Sequence, residues 1–318
     1  MVVGGVVARE RVIDGVLYRE EVVAGAWTFE GWRANGHHEV STRPATTWVE
    51  VGPSAADLTP DEWIEAADCP AERWARAEAA VDAAEERRER NLRGNARRAR
   101  TRCRRYIKAA AFSELLTLTY RVNQTCIVVF KGHFREWCRR MKRALGGVFH
   151  YVAGFELQER GAWHAHVACH KLPSHVVYRG VRIPAWRLGT EVWRSVVGEA
   201  GGLCFVGGRS RHGGLARRRL SCAQMASYVS KYITKHYEDV PEDHKRYSRS
   251  QGLVEGERYR FTITGLGADG GNAFGEAVAL GFEVPDDSAL VSWRVNTPDQ
   301  ERRRCWLVTE PKGGLAYG

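Results

Sequence analysis

At 318 residues the chain accommodates one large domain or two ordinary ones. Hydrophobic residues at 44% and charged residues at 27% exclude disordered and collagen-like classes, and no apolar run approaches the roughly 18 residues that a membrane span requires. The balance of 48 Lys and Arg against 38 Asp and Glu, net +10, points to a polyanionic partner, with nucleic acid the default.

In chain order, residues 1–7 are apolar but too short and too glycine-interrupted for a signal peptide. Residues 12–18 and 26–32 alternate and are broken by Gly, so residues 1–58 read as an N-terminal arm of short strands or irregular chain. Thr59-Pro60-Asp61-Glu62 forms a capping box with Pro at the first helical position. Pro70 ends or restarts that helix, and residues 71–91, rich in Ala, Glu and Arg, continue as a strong one. The helical region over 59–108 closes on a segment, residues 87–108, with ten Arg and one Lys against the single acid Glu89. Within it Ala99, Cys103, Tyr106, Ile107 and Ala110 form an apolar helical seam, with arginines on the other faces. Such a helix docks by its seam and turns Arg97, Arg98, Arg100, Arg102, Arg104 and Arg105 toward phosphates; a solvated charged face is the alternative.

Residues 109–285 read as an α+β domain. Strands are expected at 115–120, 149–157, 163–170, 204–206 and 259–264, and helices at 130–145, 187–197 and 223–237. Beyond residue 285 the pattern fades into a C-terminal tail. None of the eight cysteines lies in a C-x-x-C pair, so a structural zinc site has no support and reduced thiols in a cytoplasm are expected.

The chemistry-bearing residues cluster in two places. The strands over 149–157 and 163–170 form a hairpin about Arg160-Gly161. His164 and His166 stand on one face of the second strand, two residues apart. A turn centred there brings Glu156 opposite His164 or within a residue of it. One carboxylate and two imidazoles on one face make a three-ligand site suited to Mg²⁺ or Mn²⁺. Farther on, Tyr228, Lys231, Tyr232 and Lys235 share one helical face, while Ala226, Val229 and Ile233 face a core. Two phenols one turn apart, flanked by ammonium groups, suit nucleophilic attack on phosphate. Other features carry less. His37-His38 reads as a surface loop pair. The Gly- and Arg-rich stretch 207–219 either clamps DNA or is solvated. Trp163 either stacks on a base or packs on the sheet.

The ordered set Leu-Leu-Thr-Leu-Thr, Glu plus His-Ala-His, and Tyr-x-x-Lys-Tyr resembles the HUH endonuclease superfamily. It is most similar to rolling-circle replication initiators of filamentous phages, plasmids and prophages, over about residues 90–265. The resemblance implies a central antiparallel sheet flanked by helices. By position, His164 and His166 match the histidine ligands and Glu156 the third ligand, with Glu159 or Gln158 replacing it if the register differs. Tyr228 matches the primary nucleophile, Tyr232 the second tyrosine, and Lys231 the motif lysine. The implied activity is a metal-dependent nick in single-stranded origin DNA, leaving a 5′-phosphotyrosyl enzyme and a 3′-hydroxyl primer, followed by rejoining in the bacterial host cytoplasm. No G-x-x-x-x-G-K-[ST] is present, so no nucleotide cofactor is expected and unwinding falls to a host helicase, with extension by a host DNA polymerase. An HUH transposase or mobilisation nuclease, and a DNA-binding regulator without catalysis, are the rival readings.

Overall fold

The computed structural model describes residues 2–3, 6–7, 9–14, 16–53, 60–65, 67, 69–206, 220–234, 245–265, 288–296 and 304–311. Its strands are β1 (Val2–Val3), β2 (Val6–Val7), β3 (Glu10–Ile13), β4 (Val16–Ala34), β5 (His37–Pro53), β6 (Glu114–Tyr120), β7 (Tyr151–Leu157), β8 (Trp163–Cys169), β9 (His175–Tyr178), β10 (Val181–Pro184), β11 (Gly202–Val206), β12 (Tyr247–Arg249), β13 (Glu257–Ile263), β14 (Ser288–Asn296) and β15 (Arg304–Pro311). Its helices are α1 (Pro60–Glu65), α2 (Pro70–Ala109), α3 (Ile127–Ala144), α4 (Ala185–Val197) and α5 (Cys222–Thr234).

The chain divides into two compact units, one of Met1–Arg90 with Glu257–Gly318 and one of Asn91–Gly256. The expected divisions at 58, 108 and 285 give way to this pairing of the two chain ends. The expected arm of short strands is instead two long ones, β4 and β5, joined at Asn35-Gly36 and paired antiparallel. Their length exceeds what the Gly-broken alternation suggested, because cross-strand partners on both sides carry the ladder through its irregular positions. The expected tail contributes β14 and β15, and the strand expected at 259–264 is β13. All three join β4 and β5 in one sheet of order β13-β4-β5-β15-β14, with β3 beside β4. Trp27 and Phe29 are buried there against Phe261 and Ile263. His37 and His38 are buried on β5 rather than looped at the surface, since β5 is an interior strand hydrogen-bonded to β4 and β15.

The second unit is an antiparallel five-stranded sheet of order β11-β6-β8-β7-β12, covered by helices on both faces. It is the α+β architecture expected from the sequence. Strand β8 shows how alternation sorts its residues. Trp163, Ala165, Val167 and Cys169 enter a core with α3 and α4, where Phe130, Phe134, Trp137, Leu188 and Trp193 are buried. The opposite face carries His164, His166 and Ala168, and α5 and the end of α2 pack there through Cys103, Tyr106, Ile107, Met225, Ala226, Val229 and Ile233. The apolar seam expected on the arginine helix is thus the surface by which α2 docks. Helix α2 is continuous through the run expected as two pieces.

Charge separates with the units. Asn91–Gly256 holds 31 Lys and Arg against 11 Asp and Glu, whereas the rest of the chain holds 17 against 27. The basic surplus therefore belongs to the whole second unit and is not confined to residues 87–108.

Candidate active site

The β7–β8 hairpin turns through residues 158–161, where the Gly161 amide donates to the Gln158 carbonyl at 2.8 Å. Its register sets Glu156 directly opposite His164 and Gly154 opposite His166. Both histidines are buried, at 6% and 4% exposure, and Glu156 is half-buried. His166 donates from Nε2 to Glu156 Oε2 at 2.9 Å, and the Thr117 hydroxyl on the neighbouring strand β6 meets its Nδ1 at 3.3 Å. His164 Nε2 is buried with no hydrogen-bond partner. Burial first, then the neighbouring His166 and Arg160, lower its pKa to about 4, against the opposing pull of Glu156. The imidazole is therefore neutral at physiological pH, with a ring lone pair free to bind a cation.

Helix α5 lies over this face. It turns Val229, Ile233 and Ala226 into the core, as its spacing predicted, and presents Tyr228 and Tyr232 to His166. The Tyr232 ring stacks on His166 with centroids 4.4 Å apart and planes 16° from parallel. Tyr228 meets His166 edge-on at 5.2 Å and Tyr232 edge-on at 5.5 Å. Lys231 is exposed, with Nζ 4.7 Å from the Tyr228 centroid and 4.6 Å from that of Tyr232. Burial, followed by a hydrogen bond with the Tyr228 phenol, raises the pKa of Tyr232 well above that of an ordinary phenol. Lys235 and the stretch 207–219 lie outside the described residues.

The donor set suits a hard or borderline divalent cation in kind, one carboxylate with two imidazoles, and the orphaned Nε2 of His164 is a coordinating atom without another use. In spacing the three are not yet gathered: among the described residues no group of three His, Cys, Asp or Glu side chains is placed to hold a metal ion. The direct Glu156–His166 hydrogen bond accounts for part of this, since it commits to each other two atoms that would otherwise turn to a shared ion. Of the alternative third ligands, Gln158 accepts from Arg160 Nε at 3.0 Å, and Glu159 is exposed at the hairpin tip.

The six arginines are unequal. Arg97 and Arg98 are exposed. Arg102 and Arg105 face Glu255 at 3.4 and 3.9 Å, and an Arg100 Nη donates to Thr234 Oγ1 at 3.4 Å, tying α2 to the end of the tyrosine helix. Arg104 is half-buried. Trp163 packs rather than stacking on a base: it is 3% exposed, stacked on Phe130, and its indole N–H donates to the Thr125 carbonyl at 2.9 Å.

Three residues that sequence reasoning passed over complete the site. Thr117 orients His166. Arg160 donates to the Tyr120 carbonyl at 2.9 Å and lies near enough to His164 to act on its charge. Gly154 sits where a Cβ would run into the backbone carbonyl of Val229 on α5. An isolated Gly inside a strand is a legible sign of close backbone approach, and this one lets α5 settle onto the hairpin. Gly154→Ala is expected to lift α5 off His166. It should destabilise the fold by about 1–3 kcal/mol and quench any chemistry that depends on Tyr228. Chemical denaturation alongside the activity assay checks both, and unchanged stability would show that the helix does not need this approach.

Residues 113–237 match the family described as Replication-associated protein ORF2, which supports a role in initiating replication. The match covers less than half of the chain and contains β6, the hairpin and α5. No curated protein and no solved structure matches the chain. Among the described residues no helix is long and apolar enough to cross a membrane.

Proposed function

We propose that this chain nicks and rejoins single-stranded origin DNA to start rolling-circle replication, with Tyr228 as the nucleophile. The observation that carries the reading is the stacking of the two α5 tyrosines on His166 of the hairpin, which gathers residues from distant parts of the sequence at one place. The family match over the same segment supports it.

Tyr228 Oη attacks the scissile phosphorus in line. The bond from phosphorus to the 3′ oxygen breaks, the phenolic proton departs, and the leaving oxygen is protonated to a 3′-hydroxyl. The 5′ end stays on Tyr228 as a phosphodiester, so the reverse reaction rejoins strands without ATP. Tyr232, buried and holding its proton firmly, supports the Tyr228 oxygen through their hydrogen bond. Lys231, beside both rings, offsets the negative charge that develops on oxygen. Glu156, His164 and His166 are the residues that would hold Mg²⁺ or Mn²⁺. Such an ion, when bound, polarises a non-bridging oxygen of the phosphate. Thr117 and Glu156 keep the His166 ring in place. After one round Tyr232 makes the second cut while Tyr228 is occupied. A host polymerase extends the 3′-hydroxyl, and a host helicase opens the duplex.

The test is to incubate the full chain with Mn²⁺ and a pool of random single-stranded oligonucleotides, isolate covalent protein–DNA adducts, and sequence what is attached. One enriched cleavage sequence with its 5′ end on the protein is expected. No adduct, in a pool that the protein demonstrably binds, overturns the reading.

The arginine helix enters here as a sequence-independent contact. Neutralising Arg97 and Arg98 to Gln should weaken binding to all single strands alike and lower the salt slope by about 0.7 for each phosphate released. Arg102→Gln and Arg105→Gln should change binding less, because Glu255 already engages those guanidinium groups. A salt titration of binding decides this, and an unchanged slope for the Arg97/Arg98 variant would leave the helix with a docking role alone.

A further inference from the structure

The β9–β10 hairpin and the first turn of α4 belong to the helix layer opposite the one that carries Tyr228. Strand β10 runs directly into α4 at Pro184 and Ala185. The inner face of the hairpin, with Val176, Tyr178 and Ile183, packs on the core formed with α3 and α4. The outer face turns His175, Val177 and Arg182 to solvent. Val177 is 70% exposed, Val181 61% and Trp186 53%. Residues 171–190 contain four cations, Lys171, Arg179, Arg182 and Arg187, and no Asp or Glu. Of these, Arg187 is paired with Glu191 at 3.2 Å.

The hairpin tip carries an independent sign. Arg179 and Gly180 form a two-residue turn with φ of 51° and 78°. Positive φ at the first position is comfortable for Gly or Asn and strained for a long side chain. Arg179 nevertheless stands there, its guanidinium over the Tyr178 ring at 5.3 Å and exposed. Strain kept at an exposed tip is a mark of use rather than of folding.

We infer that this surface is a second contact for single-stranded DNA, in which Arg179 and Arg182 meet phosphates and Trp186 stacks on an unpaired base. An isolated indole flanked by guanidinium groups on a strand-like ridge matches a polyanion with free base faces. A duplex hides those faces, and a protein partner would meet a ridge of like charge. The inference goes beyond the nicking reading and needs only that the partner is nucleic acid. A strand long enough to reach both layers of the unit is held at both.

The experiment compares the wild-type chain with Arg179→Asn/Arg182→Gln/Trp186→Ala, and with Arg182→Gln alone. Asn keeps the turn at residue 179, and the three side chains are exposed, so folding is preserved and is checked by thermal melting. Binding is measured by anisotropy on single strands of about 15 and about 60 nucleotides, the shorter near the site size of a single groove. The triple variant should bind the long strand about tenfold more weakly, with a salt slope lower by about 1.4 for two released phosphates. Arg182→Gln should account for about half of that slope. Binding and adduct formation on the short strand should be unchanged. Equal affinity for the long strand, equal losses on both lengths, a loss seen only with duplex DNA, or an altered oligomeric state by sedimentation would each overturn the inference. Failure of the wild-type adduct on the short strand would instead strike the nicking reading and leave the length-dependent contact to be judged on its own result.

Discussion

Tyr228→Phe is expected to abolish the covalent adduct, by at least about a thousandfold, the scale of removing a nucleophile outright. The substitution keeps the ring, so the edge-on contacts with His166 and Tyr232 survive and the helix should stay folded. What disappears is the oxygen that forms the bond to phosphorus. Tyr232→Phe should behave differently. It removes the hydrogen bond to Tyr228 but leaves the flat stack on His166, so first-strand nicking should fall only modestly. Termination should fail, giving products longer than one unit. Peptide mapping of the adduct settles the order of the two tyrosines. Label on Tyr232 in the wild-type protein would reverse the roles, and label on neither would remove the tyrosine mechanism.

His164→Ala, or chelation with EDTA, should lower nicking by more than about a hundredfold while binding to single-stranded DNA persists, because ligand loss removes the cation's charge stabilisation and leaves the basic surface intact. A second readout does not depend on turnover. Mn²⁺ at about a hundred times its Kd should stabilise the wild-type fold by about 2.7 kcal/mol, and the variant should lose that gain. His164 is the sharper choice over His166, since its Nε2 serves no hydrogen bond in the fold, whereas His166 also links Glu156 with Thr117. Full-rate nicking in EDTA would falsify the metal assignment, and a Mn²⁺ shift that persists in His164→Ala would place the ion elsewhere.

Much of the second unit follows from local pattern. The spacing about Arg160-Gly161 is enough to set Glu156 opposite His164, because a tight hairpin couples residue pairs by a constant sum, and the structure has that register. The periodicity of α5 separates its core residues from its tyrosines, and the seam of α2 separates Cys103, Tyr106 and Ile107 from the arginines, since a helix places every third or fourth residue on one face. In the first unit the same rules reach less far. Gly breaks and the scarcity of strict alternation in residues 16–53 suggest short strands, whereas cross-strand pairing with β13 and β15, from the far end of the chain, keeps β4 and β5 long.

Residue order alone is therefore enough to specify the elements of the second unit, the shared face of His164 and His166, the tyrosine face of α5 and the basic character of the partner surface, because these depend on periodicities within single segments. Other features arise only when whole elements pack. Whether α5 lies on the hairpin depends on Gly154 meeting Val229. Glu156 reaches the diagonal His166 rather than the His164 opposite it through side-chain rotation that register does not specify. Arg102 and Arg105 are drawn from solvent by Glu255, a residue distant in sequence. His37 and His38 are buried because β5 acquires a neighbour from the other end of the chain. In each case the deciding contact joins residues outside one continuous segment, whose meeting depends on how strands and helices come together, and no local periodicity encodes that.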